Sequence, residues 1–122
     1  MKALLDTNIL IDYLNGIDAA RIEISRYTQP GISPITWMEV MAGVATAADD
    51  EPVVRQFLAG FQQISINQDI AERAVAIRRQ HRLRLPDAII WGSAQSENAL
   101  LVTRNSKDFP PDEPGVRVPY KL

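Results

Sequence analysis

The 122-residue sequence has no cysteine and only one histidine, His81. Without cysteine, disulfide bonds, thiolate nucleophiles and zinc–thiolate clusters are excluded, and a bound metal would need oxygen ligands or His81. A reducing cytoplasm is compatible with this composition. The single histidine also leaves no second imidazole for acid–base catalysis by a histidine pair.

Long apolar runs are missing as well. No stretch approaches the roughly 18 apolar residues of a membrane span, and Asp6 and Asp12 interrupt the apolar opening before it reaches the length of a secretion signal. We therefore expect a soluble, cytoplasmic protein that does not contact a membrane. Hydrophobic residues make up 46% and charged residues 23% of the chain, which is typical of a globular protein, and the length favours a single domain over residues 1–122.

Short apolar segments alternate with helical patterns along the chain. Strands are expected near residues 3–5, 32–33, 63–66, 100–103 and 116–118, and helices near 9–14, 18–27, 35–46, 49–60, 69–83 and 86–97. This alternation predicts an α/β fold with a parallel sheet that is covered by helices on both faces. Sheets of this kind bind ligands at the carboxyl ends of their strands.

Asp6 stands at such a position, directly after the first predicted strand and before a helix. An aspartate there can simply cap the helix, since its side chain accepts hydrogen bonds from the first free backbone N–H groups. The sequence, however, supplies three capping candidates, Asp6, Thr7 and Asn8, where a cap needs one. Asp6 is therefore a candidate for a functional role.

Glu39 interrupts an otherwise almost wholly apolar helical segment. Ala42 and Gly43 lie three and four positions further and share its helix face, so this face carries small side chains. Small side chains leave space for a substrate or for a second helix. A glutamate exposed to solvent on an amphipathic helix is the alternative explanation.

Two more acids belong to the same predicted edge of the sheet. Asp87 follows Pro86 at a helix start, where the helix dipole favours an acid without any catalytic role. Asp108 follows the strand that ends at Thr103, and together with Asn105 it can form a hydrogen-bonded turn. Each acid has such an ordinary explanation, but their repeated placement at one edge favours a shared site.

Four segments resemble, in order, the motifs of PIN-domain nucleases of the VapC toxin type: residues 4–12 (LLDTNILID), 35–43 (ITWMEVMAG), 85–90 (LPDAII) and 101–109 (LVTRNSKDF). The resemblance covers residues 3–109. It implies a three-layer α/β/α sandwich with a central, mainly parallel sheet, cleavage of RNA that depends on Mg²⁺ or Mn²⁺, and a homodimer. It also implies inhibition by a cognate antitoxin whose C-terminal segment covers the active site.

The resemblance also assigns the site residues. The four acids expected to act in catalysis and to bind metal are Asp6, Glu39, Asp87 and Asp108, and the supporting polar residues are Thr7, Asn8, Thr103 and Asn105. Clustered carboxylates repel one another and raise one another's pKa unless a cation is bound, so one or two Mg²⁺ or Mn²⁺ ions are expected. Bound cations would also offset the formal net charge of −2, which by itself argues against a polyanionic partner. Arg104 and Lys107 flank the site and are expected to position the RNA phosphates.

Two other functions remain open. A receiver-like phospho-acceptor domain of a signalling system also gathers acids at the edge of a parallel sheet, but it normally pairs two acids near the first strand, whereas Thr7 and Asn8 follow Asp6 here. A non-catalytic PIN-like RNA-binding module would keep the fold without the chemistry, and the four intact acids argue against it. Incubation with labelled RNA and Mn²⁺, with and without a chelator, separates these classes.

Overall fold

The computed structural model describes residues 2–44 and 50–122. Within these residues, five strands and six helices follow one another along the chain. In chain order they are β1 (Ala3–Leu5), α1 (Thr7–Leu14), α2 (Asp18–Ser25), β2 (Gly31–Ile32), α3 (Pro34–Gly43), α4 (Glu51–Ala59), β3 (Gln62–Gln63), α5 (Gln68–His81), α6 (Leu85–Ser96), β4 (Leu100–Val102) and β5 (Val116–Arg117).

The five strands form one sheet in the order β3-β2-β1-β4-β5, and every neighbouring pair is parallel. The chain first extends the sheet on one side of β1 and then returns to add β4 and β5 on the other side. The strand order therefore reverses between β1 and β4, which places a crevice at the carboxyl ends of these two strands. Asp6 and Thr103 are the residues that directly follow them.

Helices cover both faces of the sheet. Alternate residues of each strand point to opposite faces, so an apolar strand has side chains to bury on both. On one face, Leu4 and Leu101 pack in a core cluster with apolar residues of α5 and α6. On the other face, Leu5 and Val102 pack with residues of α1, α3 and α4. This arrangement confirms the expected three-layer α/β/α architecture, and the sheet is entirely parallel.

Helices α5 and α6 make the most extensive contact between two helices of the fold, and Gly92 permits their close approach. A Cβ atom at this position would lie 3.2 Å from both the Ala74 nitrogen and the Ile70 carbonyl oxygen. These are main-chain atoms of α5, which cannot move away as the tip of a flexible side chain can. The hairpin of α5 and α6 places Asp87, in the first turn of α6, at the edge of the sheet.

The predicted boundaries agree with the structure to within a few residues at most elements. The third strand is shorter than expected, since it contains only Gln62–Gln63 where residues 63–66 were predicted. The predicted end of the third helix at Thr46 and the predicted start of the fourth at Asp49 lie outside the described residues. Among the described helices, none combines the length and the apolar character that crossing a membrane requires.

Candidate active site

Asp6 lies at the centre of the site and is 4% exposed. It is also the N-cap of α1, as its ordinary explanation predicts, because its Oδ1 accepts a hydrogen bond of 2.8 Å from the Thr7 backbone N–H. Its other oxygen, Oδ2, accepts from the Thr103 hydroxyl at 2.8 Å and from the Asn8 side-chain amide at 3.1 Å. A cap uses one carboxylate oxygen, whereas here the second oxygen faces the crevice and binds residues from two elements.

Burial raises the pKa of Asp6 from 3.8 to about 6, although the hydrogen bonds from Thr103 and Thr7 oppose this rise. The negative charges of Asp87 and Glu39 raise this pKa further. These charges come from α6 and α3, so three elements direct carboxylates toward the same region. A buried carboxylate that is near other carboxylates is the arrangement in which a cation relieves the greatest repulsion.

Glu39 lies on α3, which begins at the Ser33 cap and has Pro34 in its first turn. Glu39 is exposed, as its ordinary explanation expects, but its carboxylate is also held by a contact within the site, because the Thr7 hydroxyl donates a 2.6 Å hydrogen bond to Glu39 Oε1. The same hydroxyl lies 3.1 Å from the Thr36 hydroxyl. Thr7 therefore connects two of the predicted acids, since its backbone N–H binds Asp6 and its hydroxyl binds Glu39.

Asp87 is buried at the start of α6, and its nearest cation is the exposed Arg84, whose Nε lies 3.5 Å from Asp87 Oδ2. Burial raises the pKa of Asp87, and Arg84 opposes this rise. The charges of Glu39 and Asp108 raise this pKa as well. Two of the other three acids, Glu39 and Asp108, therefore influence the pKa of Asp87, and Asp87 in turn raises the pKa of Asp6.

Asp108 is exposed in the loop after β4, and its present contacts are local. Its Oδ2 accepts a 2.9 Å hydrogen bond from the Asn105 side-chain amide, and its backbone N–H donates to Asn105 Oδ1 at 3.2 Å. These contacts form the hydrogen-bonded turn of Asn105 and Asp108 that the sequence predicts as the non-catalytic explanation for Asp108. The influence of Asp108 on the pKa of Asp87 indicates that it borders the site.

The acids fit a divalent cation in their chemistry, because hard cations prefer carboxylate oxygens as ligands. In the positions that the structure describes for residues 2–44 and 50–122, no three acidic or histidine side chains lie close enough together to enclose an ion. Glu39, Asp87 and Asp108 instead contact Thr7, Arg84 and Asn105. Ion binding would therefore require these side chains to exchange their present partners for the ion.

The supporting residues all contact the site. Thr103 and Asn8 donate to Asp6, Thr7 joins Asp6 to Glu39, and the Asn105 N–H donates to the Thr103 hydroxyl at 3.0 Å. Lys107 is exposed in the same loop as Asp108. The basic residue Arg104 has a different environment from the one that sequence reasoning assumed.

Arg104 uses Nε and Nη2 to bind both oxygens of Asp12, at 2.7 and 3.1 Å. Sequence reasoning assigned no role to Asp12, which is 4% exposed within α1, or to Tyr120, whose hydroxyl donates to Asp12 at 2.7 Å. The one signal in the sequence was an aspartate inside an apolar helical segment, where an unpaired charge would be costly. The positions of its partners were not visible in the sequence, because they lie 92 and 108 residues further along the chain.

Comparison with known proteins identifies the family of this chain. The PIN-domain family matches residues 3–110. A curated relative, Ribonuclease VapC10 of Mycobacterium tuberculosis, is 31% identical over 115 residues, which cover 88% of this chain and 85% of the relative.

Solved structures show the same relationship. A toxin–antitoxin complex from Klebsiella pneumoniae contains a chain with 48% identity and a TM-score of 0.92, and the match covers 98% of this chain and 99% of that chain. A chain in the DNA-bound VapBC of Salmonella typhimurium has 26% identity and a TM-score of 0.80 over 96% of both chains. The family match, the curated relative and the solved structures agree: this chain belongs to the PIN-domain family, within its group of VapC-type ribonucleases of toxin–antitoxin systems.

Proposed function

We propose that this chain is an endoribonuclease that hydrolyses RNA phosphodiester bonds with one or two Mg²⁺ or Mn²⁺ ions, held by Asp6, Glu39, Asp87 and Asp108. One observation carries the proposal: the buried Asp6 lies where the strand order reverses, and Thr7 joins it to Glu39 of α3 through two hydrogen bonds. PIN ribonucleases in general depend on a metal. The identity and the number of the ions, and the assignment of these four ligands, belong to the proposal.

The chain's own residues would prepare this chemistry in three ways. Thr7 holds Asp6 and Glu39 in a fixed relative position, through its N–H and its hydroxyl. Asn8 and Thr103 orient the second oxygen of Asp6 toward the crevice. A bound divalent ion would supply a water of lowered pKa and neutralise charge on the scissile phosphate.

For the substrate, we propose that Lys107 contacts RNA phosphates from the exposed loop, as its position beside Asp108 allows. Arg104 keeps the role of a substrate-positioning residue in this proposal. Its Nε and one N–H of Nη2 already bind Asp12, so a direct phosphate contact would use Nη1 or the second N–H of Nη2. Hydrolysis by a metal-bound water would leave a 5′-phosphate and a 3′-hydroxyl.

The proposed biological role is that of the toxin in a toxin–antitoxin pair, acting in the cytoplasm as a homodimer of single PIN domains spanning residues 1–122. The complexes from Klebsiella pneumoniae and Salmonella typhimurium support a protein antitoxin as partner. An apolar groove between α1, α3 and α4 is the surface that we assign to an antitoxin segment. Its lining includes the exposed side chains of Ile11, Leu14 and Val53.

The test is cleavage of end-labelled RNA by the purified chain with Mn²⁺, with Mg²⁺ and with EDTA. We expect cleavage with either ion and none with EDTA. Asp6→Asn and Asp87→Asn should abolish cleavage, whereas Asp18→Asn should retain it, because the exposed Asp18 only pairs with Arg21 on α2. Cleavage that persists in EDTA would overturn the metal mechanism. Intact RNA under every condition would indicate a non-catalytic RNA-binding module instead.

A further inference from the structure

Two buried acids in this fold, Asp12 and Glu23, accept hydrogen bonds from the same kinds of side chain. Asp12 accepts from Nε and Nη2 of Arg104 at 2.7 and 3.1 Å and from the Tyr120 hydroxyl at 2.7 Å. Glu23, which is 3% exposed, accepts from Nε and Nη2 of Arg117 at 2.7 and 3.0 Å and from the Tyr27 hydroxyl at 2.6 Å. We call them the Asp12 cluster and the Glu23 cluster. Each pairs a buried carboxylate with a bidentate arginine and a tyrosine, which compensates for its loss of water, and Glu23 has in addition the Arg26 Nε at 3.8 Å.

The Asp12 cluster continues into the candidate active site. The backbone N–H of Arg104 donates to Asn8 Oδ1 at 3.0 Å, and this bond turns the amide nitrogen of Asn8 toward Asp6 Oδ2, at 3.1 Å. Arg104 also directly follows Thr103, whose hydroxyl donates to the same oxygen of Asp6. Both side-chain donors to Asp6 are therefore held by a loop that Asp12 anchors through the Arg104 guanidinium.

Tyr120 completes this anchor from the C-terminal segment. Burial and the Asp12 carboxylate raise the pKa of Tyr120, so its hydroxyl remains protonated and keeps donating. Asp12 Oδ2 accepts both this hydroxyl and Arg104 Nε, and the two donors together fix the direction of the carboxylate. Without Tyr120, the ion pair would remain, but Oδ2 would have one partner fewer and Arg104 more freedom to move.

We propose that Tyr120 and Asp12 are positioning residues of the active site: through Arg104 they hold Asn8 and Thr103 against Asp6, so the C-terminal segment sets the orientation of the central carboxylate. This inference rests on the proposed function only for its kinetic consequence. Its structural part concerns the position of Asn8 and of the loop that carries Thr103 and Arg104, which can be measured without any RNA.

The Glu23 cluster provides a matched control. Its hydrogen-bond donors are of the same kinds and lie at nearly the same distances, and it differs in having a second arginine, Arg26, 3.8 Å from Glu23 Oε1. It also involves the C-terminal part of the chain, through Arg117 in β5. The side chains that donate to Glu23 come from the turn after α2 and from β5, and neither of them is a proposed site residue. Tyr27→Phe and Tyr120→Phe therefore each remove one hydrogen-bond donor to one buried acid. Only Tyr120→Phe changes a cluster whose contacts continue to Asp6.

The experiment compares wild type, Tyr120→Phe and Tyr27→Phe by two readouts. Hydrogen exchange followed by NMR, on metal-free protein, reports the Arg104 backbone amide and the Asn8 side-chain amide. Steady-state cleavage of RNA over a range of Mn²⁺ concentrations separates kcat from the Mn²⁺ midpoint. Arg104→Lys serves as a second variant, because it keeps the charge beside Asp12 but loses the bidentate geometry.

We expect the backbone amide of residue 104 to exchange faster in Tyr120→Phe and in Arg104→Lys than in wild type. We also expect both variants to lose about tenfold in kcat or in Mn²⁺ affinity, as is typical when partners of a metal ligand are altered. Tyr27→Phe should match wild type in both readouts. Equal effects of the two tyrosine changes, or none from either, would overturn the inference. Absence of cleavage by wild type would instead refute the proposed function, and the exchange rates would still decide whether Tyr120 positions Asn8.

Discussion

The pKa of Asp6 leads to a prediction about the stability of the metal-free protein. In the unfolded chain, Asp6 should titrate near 3.8, and in the folded chain near 6. The folded state therefore holds this proton more tightly, and folding is penalised once the proton is lost. Below pH 3.8 the penalty is absent, it grows as the pH rises from about 4 to 6, and above pH 6 it is complete.

The size of the penalty follows from the shift. A difference of roughly two pKa units corresponds to about 3 kcal/mol at about 1.4 kcal/mol per unit. Asp6→Asn removes the charge and therefore the pH dependence of this penalty. The variant also replaces one acceptor oxygen by an amide nitrogen that faces the donors Asn8 and Thr103, which costs stability at every pH. The quantity to measure is therefore the change with pH of the difference between variant and wild type.

Urea denaturation in EDTA at pH values from about 4 to 7 gives this difference. We expect Asp6→Asn to gain about 3 kcal/mol relative to wild type across this range, and the gain to shrink when Mg²⁺ is added, because a bound cation stabilises the charged wild type. Asp18→Asn, which removes a charge on the exposed surface of α2, is the control variant. A flat difference for Asp6→Asn, or one that falls as the pH rises, would refute the reasoning about Asp6.

Two further predictions concern the helix hairpin and the partner. Gly92→Ala should lower the free energy of unfolding by about 1–3 kcal/mol in urea denaturation, since the added methyl group would press on the main chain of α5. Gly43→Ala should not lower it, because a Cβ atom there would meet no atom of the described residues within 4 Å, and a loss as large as that of Gly92→Ala would show that the loss at Gly92 does not come from contact with α5. Expression of the wild-type chain should be tolerated only together with its antitoxin, and the two should co-purify, whereas Asp87→Asn should be tolerated alone. Equal growth with both chains in the absence of an antitoxin would count against the toxin role.

The elements of this fold were largely predictable because their patterns are local. Strand β1 is a short apolar run, and Asp6, which directly follows it, is a residue type that caps helices well. A few consecutive residues are therefore enough to predict both elements. The short strand β3, by contrast, consists of Gln62 and Gln63, both exposed, and apolar alternation placed it too far along the chain. Its position is set by pairing with β2, which is a contact between distant segments.

The candidate site was predictable only in part, for the same reason. Asp6 shows that the two explanations for an acid at a strand end need not compete, because one of its oxygens caps α1 while the other faces the crevice. Sequence reasoning placed Arg104 near the site but could not show that its guanidinium binds Asp12. That ion pair and the hydrogen bond from Tyr120 join residues on α1, after β4 and near the C-terminus, which only the folded sheet brings together.

The proposed metal site joins Asp6, Glu39, Asp87 and Asp108 at one edge of the sheet, where they would bind a divalent ion together. Its most direct test is Mn²⁺ binding, measured by electron paramagnetic resonance on wild type, on the single Asn or Gln variants of the four acids and on Asp18→Asn. We predict that Asp6→Asn and Asp87→Asn weaken Mn²⁺ binding by at least about tenfold, that the other two site variants weaken it as well, and that Asp18→Asn binds as wild type does. Wild-type Mn²⁺ affinity in Asp6→Asn and Asp87→Asn would contradict the account.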